Sequence, residues 1–263
     1  MIDYFIITHN ELLVPNLRNT DIIDYQILLV GNNIQHSAGK NTIICKSLPS
    51  NIEQYPNLCS YTGWYSVVKN KTYSQNVVSL LEYDIELADN FNSVNINIVQ
   101  QQKKDYIISY SNTLVNHYVF YKSTPWLEIS LKKIHNIDLG RFVLSYKDQY
   151  SFWPTTTNTT MPVEVLRAFV DWFHPMTEIF CHDPLGAYVH ERAFFIFCVL
   201  NKVDIIYPST KILSHQQLKS HQQQDIYGQV LDKYKSLCLE SCMVSDYDSS
   251  YDKAFQQCCR TIR

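Results

Sequence analysis

A group of acidic residues directly follows an apolar segment in the first third of the chain. The segment Val77–Leu81 predicts a strand buried on both faces of a sheet. Glu82, Asp84 and Glu86 follow it at alternate positions, which on an extended backbone places all three carboxylates on one side of the strand end. Carboxylates at such an edge can hold a divalent cation that neutralises a diphosphate. The alternative is a strand that ends in a solvated acidic turn.

A second group of chemically capable residues lies near the start of a predicted buried helix, Gly186–Asn201. It consists of His190, Glu191 and Arg192. A carboxylate held there with a raised pKa is suited to act as a general base on an acceptor hydroxyl. Glu191 could equally be a residue that the helix dipole stabilises. Asp183, which precedes a proline, is the competing acid and is also compatible with a turn or an N-cap.

Three polar residues follow the first predicted strand. The apolar segment YFIIT predicts that strand, and Thr8, His9 and Asn10 stand where it meets its loop. Ligands of open α/β sheets bind outside the carboxyl ends of the strands. These residues are therefore candidates for contact with a base or a ribose, and the alternative is a solvated loop.

Two histidines and two cations add to this set. His215 follows an apolar, strand-like segment, and His221 lies shortly after it. A neutral imidazole can complete a metal shell or donate a hydrogen bond to a diphosphate oxygen. Arg192 and Lys219 are candidates for neutralising a departing diphosphate. Stabilising that leaving group is the largest electrostatic demand of a transfer reaction that releases a diphosphate. For either histidine, the alternative is an ordinary surface or packed residue.

The elements that must position these residues alternate between short apolar segments and amphipathic ones. This pattern predicts an α/β protein whose mainly parallel sheet is covered by helices. Strands are predicted at Tyr4–Thr8, Tyr25–Val30, Asn41–Cys45, Val77–Leu81 and Ile205–Tyr207, with further candidates at Ile96–Val99, Tyr106–Ser109 and Phe142–Ser145. Helices are predicted at Leu58–Asn70, within Val115–Lys133, from Pro162 to a stop or kink at His174–Pro175, over Gly186–Asn201, and again in the polar region after His215.

Composition and charge exclude several classes of protein. The 263 residues carry a net charge of −3, so no basic excess favours nucleic-acid binding. The six glycines form neither a dinucleotide-binding nor a P-loop pattern, and the GxSxG and HExxH motifs do not occur. The apolar run Ala193–Leu200 is too short to span a bilayer, and no secretory signal is recognisable. Eight cysteines without a CxxC motif fit reduced thiols in the cytosol.

The acidic segment LLEYDIEL resembles the DxD-like strand end of metal-dependent, nucleotide-sugar glycosyltransferases with the GT-A fold. The likeness is greatest to bacterial and viral polysaccharide glycosyltransferases. Four further segments resemble parts of these enzymes in the same order: IITHN, LCSYTGWYSVVKN, the HER-type segment GAYVHERAFFIFCVLNKVDI, and KILSHQQLKSH. Together they cover much of residues 1–221.

The resemblance implies roles for the acidic segment. Asp84 would be the main ligand of a Mn²⁺ or Mg²⁺ cofactor, and Glu82 would occupy the first position of the motif, facing the ribose or the metal. Tyr83 stands where many members have a second aspartate, which implies weaker metal binding or independence from metal. Glu86 would lie beside the site rather than bind the metal, and His215 would complete the metal shell.

The remaining candidates divide between the donor and the catalytic group. Contacts with the nucleotide sugar are expected from seven residues: Thr8, His9, Asn10, Glu82, Tyr83, Arg192 and His221. Glu191, or failing that Asp183, would be the base if the reaction inverts the anomeric centre. If the reaction retains it, Glu191 would instead contact the transferred sugar.

The sequence thus predicts a GT-A-like α/β domain over residues 1–221 and a helical C-terminal extension over residues 222–263. The expected activity is transfer of a sugar from a nucleotide sugar, UDP-linked in preference to GDP-linked, to a hydroxyl of a glycan. We expect no nucleic-acid partner, no transmembrane segment, and a cytoplasmic location, with attachment to a membrane surface or presence in a virus-infected host cell as variants. The alternatives are a non-catalytic glycan- or partner-binding domain and, last, a nucleotidyltransferase, which would need a glycine-rich phosphate loop that residues 1–40 lack.

Overall fold

The structure is a computed structural model that describes residues 1–9, 15, 17, 19–31, 41–114, 125–139, 142, 152–154, 157–182 and 186–215. The chain divides into two compact units, one formed by Met1–Leu114 and Phe152–Gln217 and the other by Val115–Ser151 and Leu218–Arg263. The predicted boundary after residue 221 and the predicted C-terminal extension lie outside the described residues.

The strands of the first unit include all those that the candidate site needs. In chain order the described strands are β1 (Asp3–Thr8), β2 (Gln26–Leu29), β3 (Thr42–Ile44), β4 (Val77–Glu82), β5 (Ile85–Leu87), β6 (Tyr106–Ser109), β7 (Asn112–Leu114), β8 (Phe152–Pro154), β9 (Thr159–Pro162), β10 (Asp204–Ile206) and β11 (Leu213–His215). The described α-helices are α1 (Ser60–Asn70), α2 (Phe91–Gln101), α3 (Pro125–His135), α4 (Val163–Phe180) and α5 (Gly186–Leu200), of which α3 belongs to the second unit.

Seven of these strands form one mixed sheet in the order β10-β6-β9-β4-β1-β2-β3. Strand β1 is parallel to β2 and to β4, and β2 is parallel to β3. Strand β10 is parallel to β6. Strand β9 is antiparallel to both β4 and β6, between which it lies. Two smaller antiparallel pairs, β5 with β11 and β7 with β8, complete the described strands. The predicted α/β class with a mainly parallel sheet is confirmed.

Helices cover both faces of this sheet. Along β1, Tyr4 and Ile6 belong to a buried cluster with Phe91 of α2. Ile7, the residue after Ile6, faces α1, where a methyl group added to Gly63 would lie 3.4 Å from the Ile7 side chain. The alternation of side chains along a strand therefore places α2 on one face and α1 on the other. Helix α1 in turn packs with α4 and α5.

The interface of α1, α4 and α5 is largely aromatic. Tyr61 and Trp64 of α1 meet Phe169 and Phe173 of α4, and all four side chains are buried. The predicted apolar stripe of α4 is confirmed, because its members are all buried: Val163, Leu166, Phe169, Val170 and Phe173. At about 2 kcal/mol for each large side chain removed from water, this interface is a major source of stability for the first unit.

One predicted strand is wrong. Ile96–Val99 lies within α2 rather than in a strand. Phe91 and Asn95 are buried one helical turn apart, so the packing of the helix determines this element.

The sequence predicts that α4 stops or kinks at His174–Pro175. The helix does not stop there but continues to Phe180, with Pro175 inside it. Burial of Met176 and Phe180 extends the apolar stripe and offsets the hydrogen bond that proline cannot donate.

The strand predicted at Phe142–Ser145 can be compared with the structure at one residue. Phe142 is helical rather than extended, and the rest of Phe142–Ser145 lies outside the described residues. Within Val115–Lys133, the described part from Pro125 is helical as predicted.

Candidate functional site

The carboxyl edge of the parallel strands brings together residues that are far apart in the sequence. Thr8 ends β1 and is buried, and its carbonyl accepts a hydrogen bond of 2.9 Å from the Val30 N–H at the end of β2. The register places Ile7 opposite Glu82, which ends β4. The His9 ring lies edge-on to the Tyr83 ring, with 5.1 Å between their centroids. The end of the first strand and the acidic segment therefore lie next to each other.

The acidic segment does not form one continuous strand. Strand β4 ends at Glu82, the chain bends at Tyr83 and Asp84, and β5 begins at Ile85. Asp84 is buried, Glu82 is half-buried and Glu86 is exposed. The expectation that all three carboxylates lie on one side of an extended strand is therefore wrong. The bend turns the chain after Glu82 so that β5 can pair with β11 instead of extending β4.

Glu82 is held by the residues that lead into β9. Its main-chain N–H donates a hydrogen bond of 2.7 Å to Oδ1 of Asn158, and the Thr157 hydroxyl donates to its carboxylate. The Ser60 hydroxyl, at the start of α1, donates to Oγ1 of Thr157 at 3.2 Å. Asn158, Thr157 and Ser60 are all buried. Glu82 is thus held in place through its main chain by Asn158 and through its carboxylate by Thr157.

Sequence reasoning missed Thr157 and Asn158 as residues of the site. The signal that could have revealed them is the run TTTNTT, since threonine is β-branched and favours strands. An antiparallel strand within a mostly parallel sheet begins at the edge where its neighbours end. A strand recognised at this run would therefore have placed Asn158 beside Glu82.

Glu191 lies on α5, as predicted, and its carboxyl is tuned towards neutrality. Although a quarter of the side chain is exposed, burial among protein atoms raises its pKa to about 7. The positive charge of Arg192 lowers this pKa and the negative charge of Glu82 raises it. The Arg192 Nη1 lies 3.8 Å from Oε2 of Glu191. A carboxyl with this pKa can exchange a proton near neutral pH.

The Cys59 thiol is influenced by the charges of both Glu82 and Glu191. It precedes α1 with a φ of 46°, and its residue is partly open to solvent. Burial of the thiol raises its pKa to about 11, and the charges of Glu82 and Glu191 both contribute to this rise. Both carboxylates are therefore close enough to act on the same thiol. Cys59 was not singled out in the sequence, and it stays a protonated thiol at neutral pH.

His190 faces away from this edge, into the aromatic interface. Its ring lies 4.6 Å from that of Trp64, 5.1 Å from that of Tyr61 and 5.5 Å from that of Phe169, measured between centroids. Both ring nitrogens are buried without a hydrogen-bond partner. Burial lowers the pKa of His190 to about 3. Of the three residues His190, Glu191 and Arg192, the histidine therefore serves packing.

We expect His190→Phe to remove a loss of stability in acid. The pKa of His190 is lower in the folded chain than the usual 6.5 of an unfolded chain, so the unfolded state takes up the proton as pH falls below 6.5. At pH 5 this costs the wild type about 2 kcal/mol relative to pH 7. The phenylalanine variant has no proton to bind and keeps that stability. Urea unfolding of both proteins at the two pH values measures the difference, and equal pH dependence would contradict the assignment.

The other predicted residues fall into two groups. His215 ends β11, and its backbone pairs with Ile85, the residue directly after Asp84. Asn10, Asp183 and His221 lie outside the described residues, as does Lys219. Roles predicted for these positions stay predictions.

The metal that the resemblance implies can be compared with the donor groups present. In the part of the chain that the structure describes, no group of three or more His, Cys, Asp or Glu side chains could hold a metal ion. Glu82 and Asp84 provide two carboxylates two residues apart. Mg²⁺ is commonly bound by one or two carboxylates together with the phosphates of a substrate. The residues therefore fit a cation that arrives with a diphosphate better than a permanently bound ion.

Comparisons with known proteins give one informative result. No protein-family model matches the sequence, and no curated protein matches it. Among solved structures, the chain is similar to the apo structure of the bifunctional glycosyltransferase WbbM, with a TM-score of 0.57 and 13% sequence identity. The similarity covers 82% of this chain and 45% of WbbM, so the chain spans about half the length of that protein.

At this identity the comparison establishes the fold. The seven-stranded mixed sheet with helices on both faces is an α/β fold, and it resembles the fold of that glycosyltransferase structure. Within the described ranges, no helix is both long enough and apolar enough to cross a membrane.

Proposed function

We propose that the protein is a glycosyltransferase that moves a sugar from a nucleotide diphosphate sugar to a hydroxyl of a glycan. The observation that carries this proposal is the arrangement of Glu82, Asp84 and Glu191 around one edge of the sheet. Two carboxylates there fit a cation with a diphosphate, and the third is tuned to neutral pH. The likeness in fold to a glycosyltransferase supports the same activity.

The donor would bind across the ends of β1 and β4. Thr8 and His9 stand at the end of β1, where ligands of open α/β sheets bind, and would contact the nucleoside. Asp84 and Glu82 would hold Mn²⁺ or Mg²⁺, which neutralises the diphosphate as it departs. Tyr83 occupies the position between them, so the cation would depend more on the phosphate oxygens. We therefore expect the cation to bind weakly without the nucleotide.

Glu191 would act at the sugar. With a pKa of about 7, its carboxylate is ionised in a large fraction of molecules at neutral pH and can accept the proton of an attacking hydroxyl. This role applies if the reaction inverts the anomeric centre. If the reaction retains it, the same carboxylate would contact the transferred sugar. Arg192, which is buried beside Glu191, would add positive charge near the departing diphosphate.

A second candidate function is a non-catalytic domain that binds a glycan or a protein partner. Tyr83 favours it, because a tyrosine stands at a position where an additional carboxylate would strengthen a metal site. This function requires no cation-dependent nucleotide binding and no turnover.

The proposal is tested by thermal unfolding in the presence of UDP, GDP, CMP and their sugars, with and without Mn²⁺. A ligand at 100 times its Kd adds about 2.7 kcal/mol to the stability of the native state. We expect one nucleotide to raise Tm only when Mn²⁺ is present. We also expect the corresponding nucleotide sugar to release its free nucleotide when a glycan acceptor is added. Absence of any shift with every nucleotide would contradict the proposal and favour the binding domain.

A further inference from the structure

A cavity of about 490 Å³ lies at the carboxyl ends of β6 and β10 and against β11. Its size is typical of sites that bind small molecules. Six of its lining residues carry hydroxyl groups: Ser109, Tyr110, Ser111, Tyr207, Thr210 and Ser214. The hydroxyls of Ser109 and Tyr110 are hydrogen-bonded within the protein. None of these residues was assigned to the donor site above.

Part of the wall of this cavity is built by a buried hydrogen-bond network. The Tyr110 hydroxyl donates to Oδ1 of Asn95 at 2.8 Å and is also hydrogen-bonded with the Thr160 hydroxyl. The Thr160 hydroxyl donates to Oγ of Ser79 at 2.8 Å. The Tyr110 ring also packs on Phe91, with 4.9 Å between centroids. The wall is therefore fixed in advance, which reduces the entropy lost when a ligand binds.

Two connections place the cavity next to the acidic segment. On β11, Ser214 lines the cavity and pairs with Glu86, while the next residue pairs with Ile85 directly after Asp84. On β6, Ser109 lines the cavity and pairs with Thr159, the neighbour of the Asn158 that holds Glu82. A ligand in this cavity would thus lie beside the proposed donor rather than in its place.

The chemistry of the lining indicates the class of ligand. Several hydroxyl groups suit a ligand that itself carries many hydroxyls, as a saccharide does. Lys211 is the one charged residue among the described lining residues, and it is exposed at the cavity. A single lysine without a carboxylate in the described lining favours a ligand with one negative group.

We propose that this cavity binds a saccharide bearing a phosphate or carboxylate group, and that this saccharide is the acceptor of the transfer. The role of this saccharide as acceptor rests on the proposed function, whereas its binding in the cavity does not. Lys211 forms an ion pair with the negative group, and the hydroxyl-bearing residues of the wall contact the sugar. Direct binding can be measured without any turnover, so the cavity can be tested separately from the reaction.

The test titrates three probes into the full chain saturated with UDP and Mn²⁺, with NMR detection of binding. Glucose 1-phosphate carries a phosphate, glucuronic acid carries a carboxylate, and methyl glucoside is neutral. We expect at least one charged probe to bind roughly fivefold more tightly than methyl glucoside, and Lys211→Gln to remove that difference. The preferred charged probe identifies the group. Lys104→Gln, which changes an exposed lysine at the other edge of the sheet, should leave all affinities unchanged.

Each outcome bears on one proposal or the other. Equal affinity for all three probes, or a preference that persists in Lys211→Gln, overturns the inference. Binding of UDP with Mn²⁺ but of no probe also overturns it and leaves the proposed function standing. Charged probes that bind through Lys211 to a protein with no nucleotide affinity support the saccharide site and contradict sugar transfer.

Discussion

Replacing Glu191 with glutamine is expected to lower kcat for sugar transfer by about 10² to 10⁴-fold, the range that general acid–base groups contribute. Glutamine has the same shape but cannot accept a proton. The affinity for the nucleotide should change little, because the proposed sites of the cation and the nucleoside lie elsewhere along the edge. Steady-state kinetics with the donor identified by thermal unfolding, together with calorimetric titration of the nucleotide, separates the two effects.

The same variant should be more stable than the wild type above neutral pH. The pKa of Glu191 is about 7 in the folded chain and near 4.3 in an unfolded chain, so the folded state holds the proton more tightly. This favours folding fully below pH 4.3, and the advantage disappears as pH rises through 7. Glutamine cannot ionise, so Glu191→Gln gains up to about 3 kcal/mol over the wild type at pH 8.

Glu178→Gln is a matched control for the kinetic measurement. Glu178 is an exposed carboxylate on α4, and its loss should leave kcat unchanged. An unchanged kcat in Glu191→Gln would contradict a catalytic role, whatever its stability. A lower kcat without the gain in stability would contradict the pKa on which the mechanism depends.

The double variant Glu82→Gln, Asp84→Asn is expected to lose the Mn²⁺-dependent binding of the nucleotide. Both substitutions keep the shape and one acceptor oxygen, so the hydrogen bond from Thr157 to residue 82 can still form. They remove the negative charges that would hold the cation. A catalytic cation supplies several kcal/mol to the transition state, so kcat/KM should fall by at least about 10³-fold. Thermal unfolding with nucleotide and Mn²⁺ measures binding directly.

Glu86→Gln provides the control within the same segment. Glu86 is exposed on β5, and its replacement should leave the Mn²⁺-dependent rise in Tm as it is in the wild type. Nucleotide binding that still needs Mn²⁺ in the double variant would place the cation elsewhere. Loss of binding in Glu86→Gln as well would show that charge in the segment, and not a ligand pair, is what matters.

The sequence predicted most of the large sheet because its strands are short apolar segments, of which β1, β4 and β6 are almost entirely buried. Strands β1, β2, β4 and β6 lie within one or two residues of their predicted bounds. Strand β9 was missed because it is rich in threonine. Its Thr160 hydroxyl, for example, is buried with a hydrogen bond to Ser79. Hydropathy does not reveal a strand of that kind.

The candidate site was predicted in part, for a similar reason. Glu82 and Glu191 are recognisable from the local sequence, because each carboxylate stands next to an apolar segment. Their proximity to one another depends on how α5 packs against α1 and α4, which no local pattern encodes. His190 shows the reverse case. It is a polar residue by type, but its surroundings come from α1 and α4, and these make it part of an aromatic core.

The position of β9 has a consequence for how the protein is synthesised. Strands β4 and β6 emerge from the ribosome well before Thr159–Pro162, the segment that joins them. Until that segment is made, each of the two strands presents an unpaired edge, and such edges pair readily with other chains. The nascent protein is therefore exposed to aggregation over that interval, and a chain truncated before residue 159 stays in this state. The two parts of the large sheet, β1 to β4 on one side and β6 with β10 on the other, can therefore join only after this short, polar strand has been made.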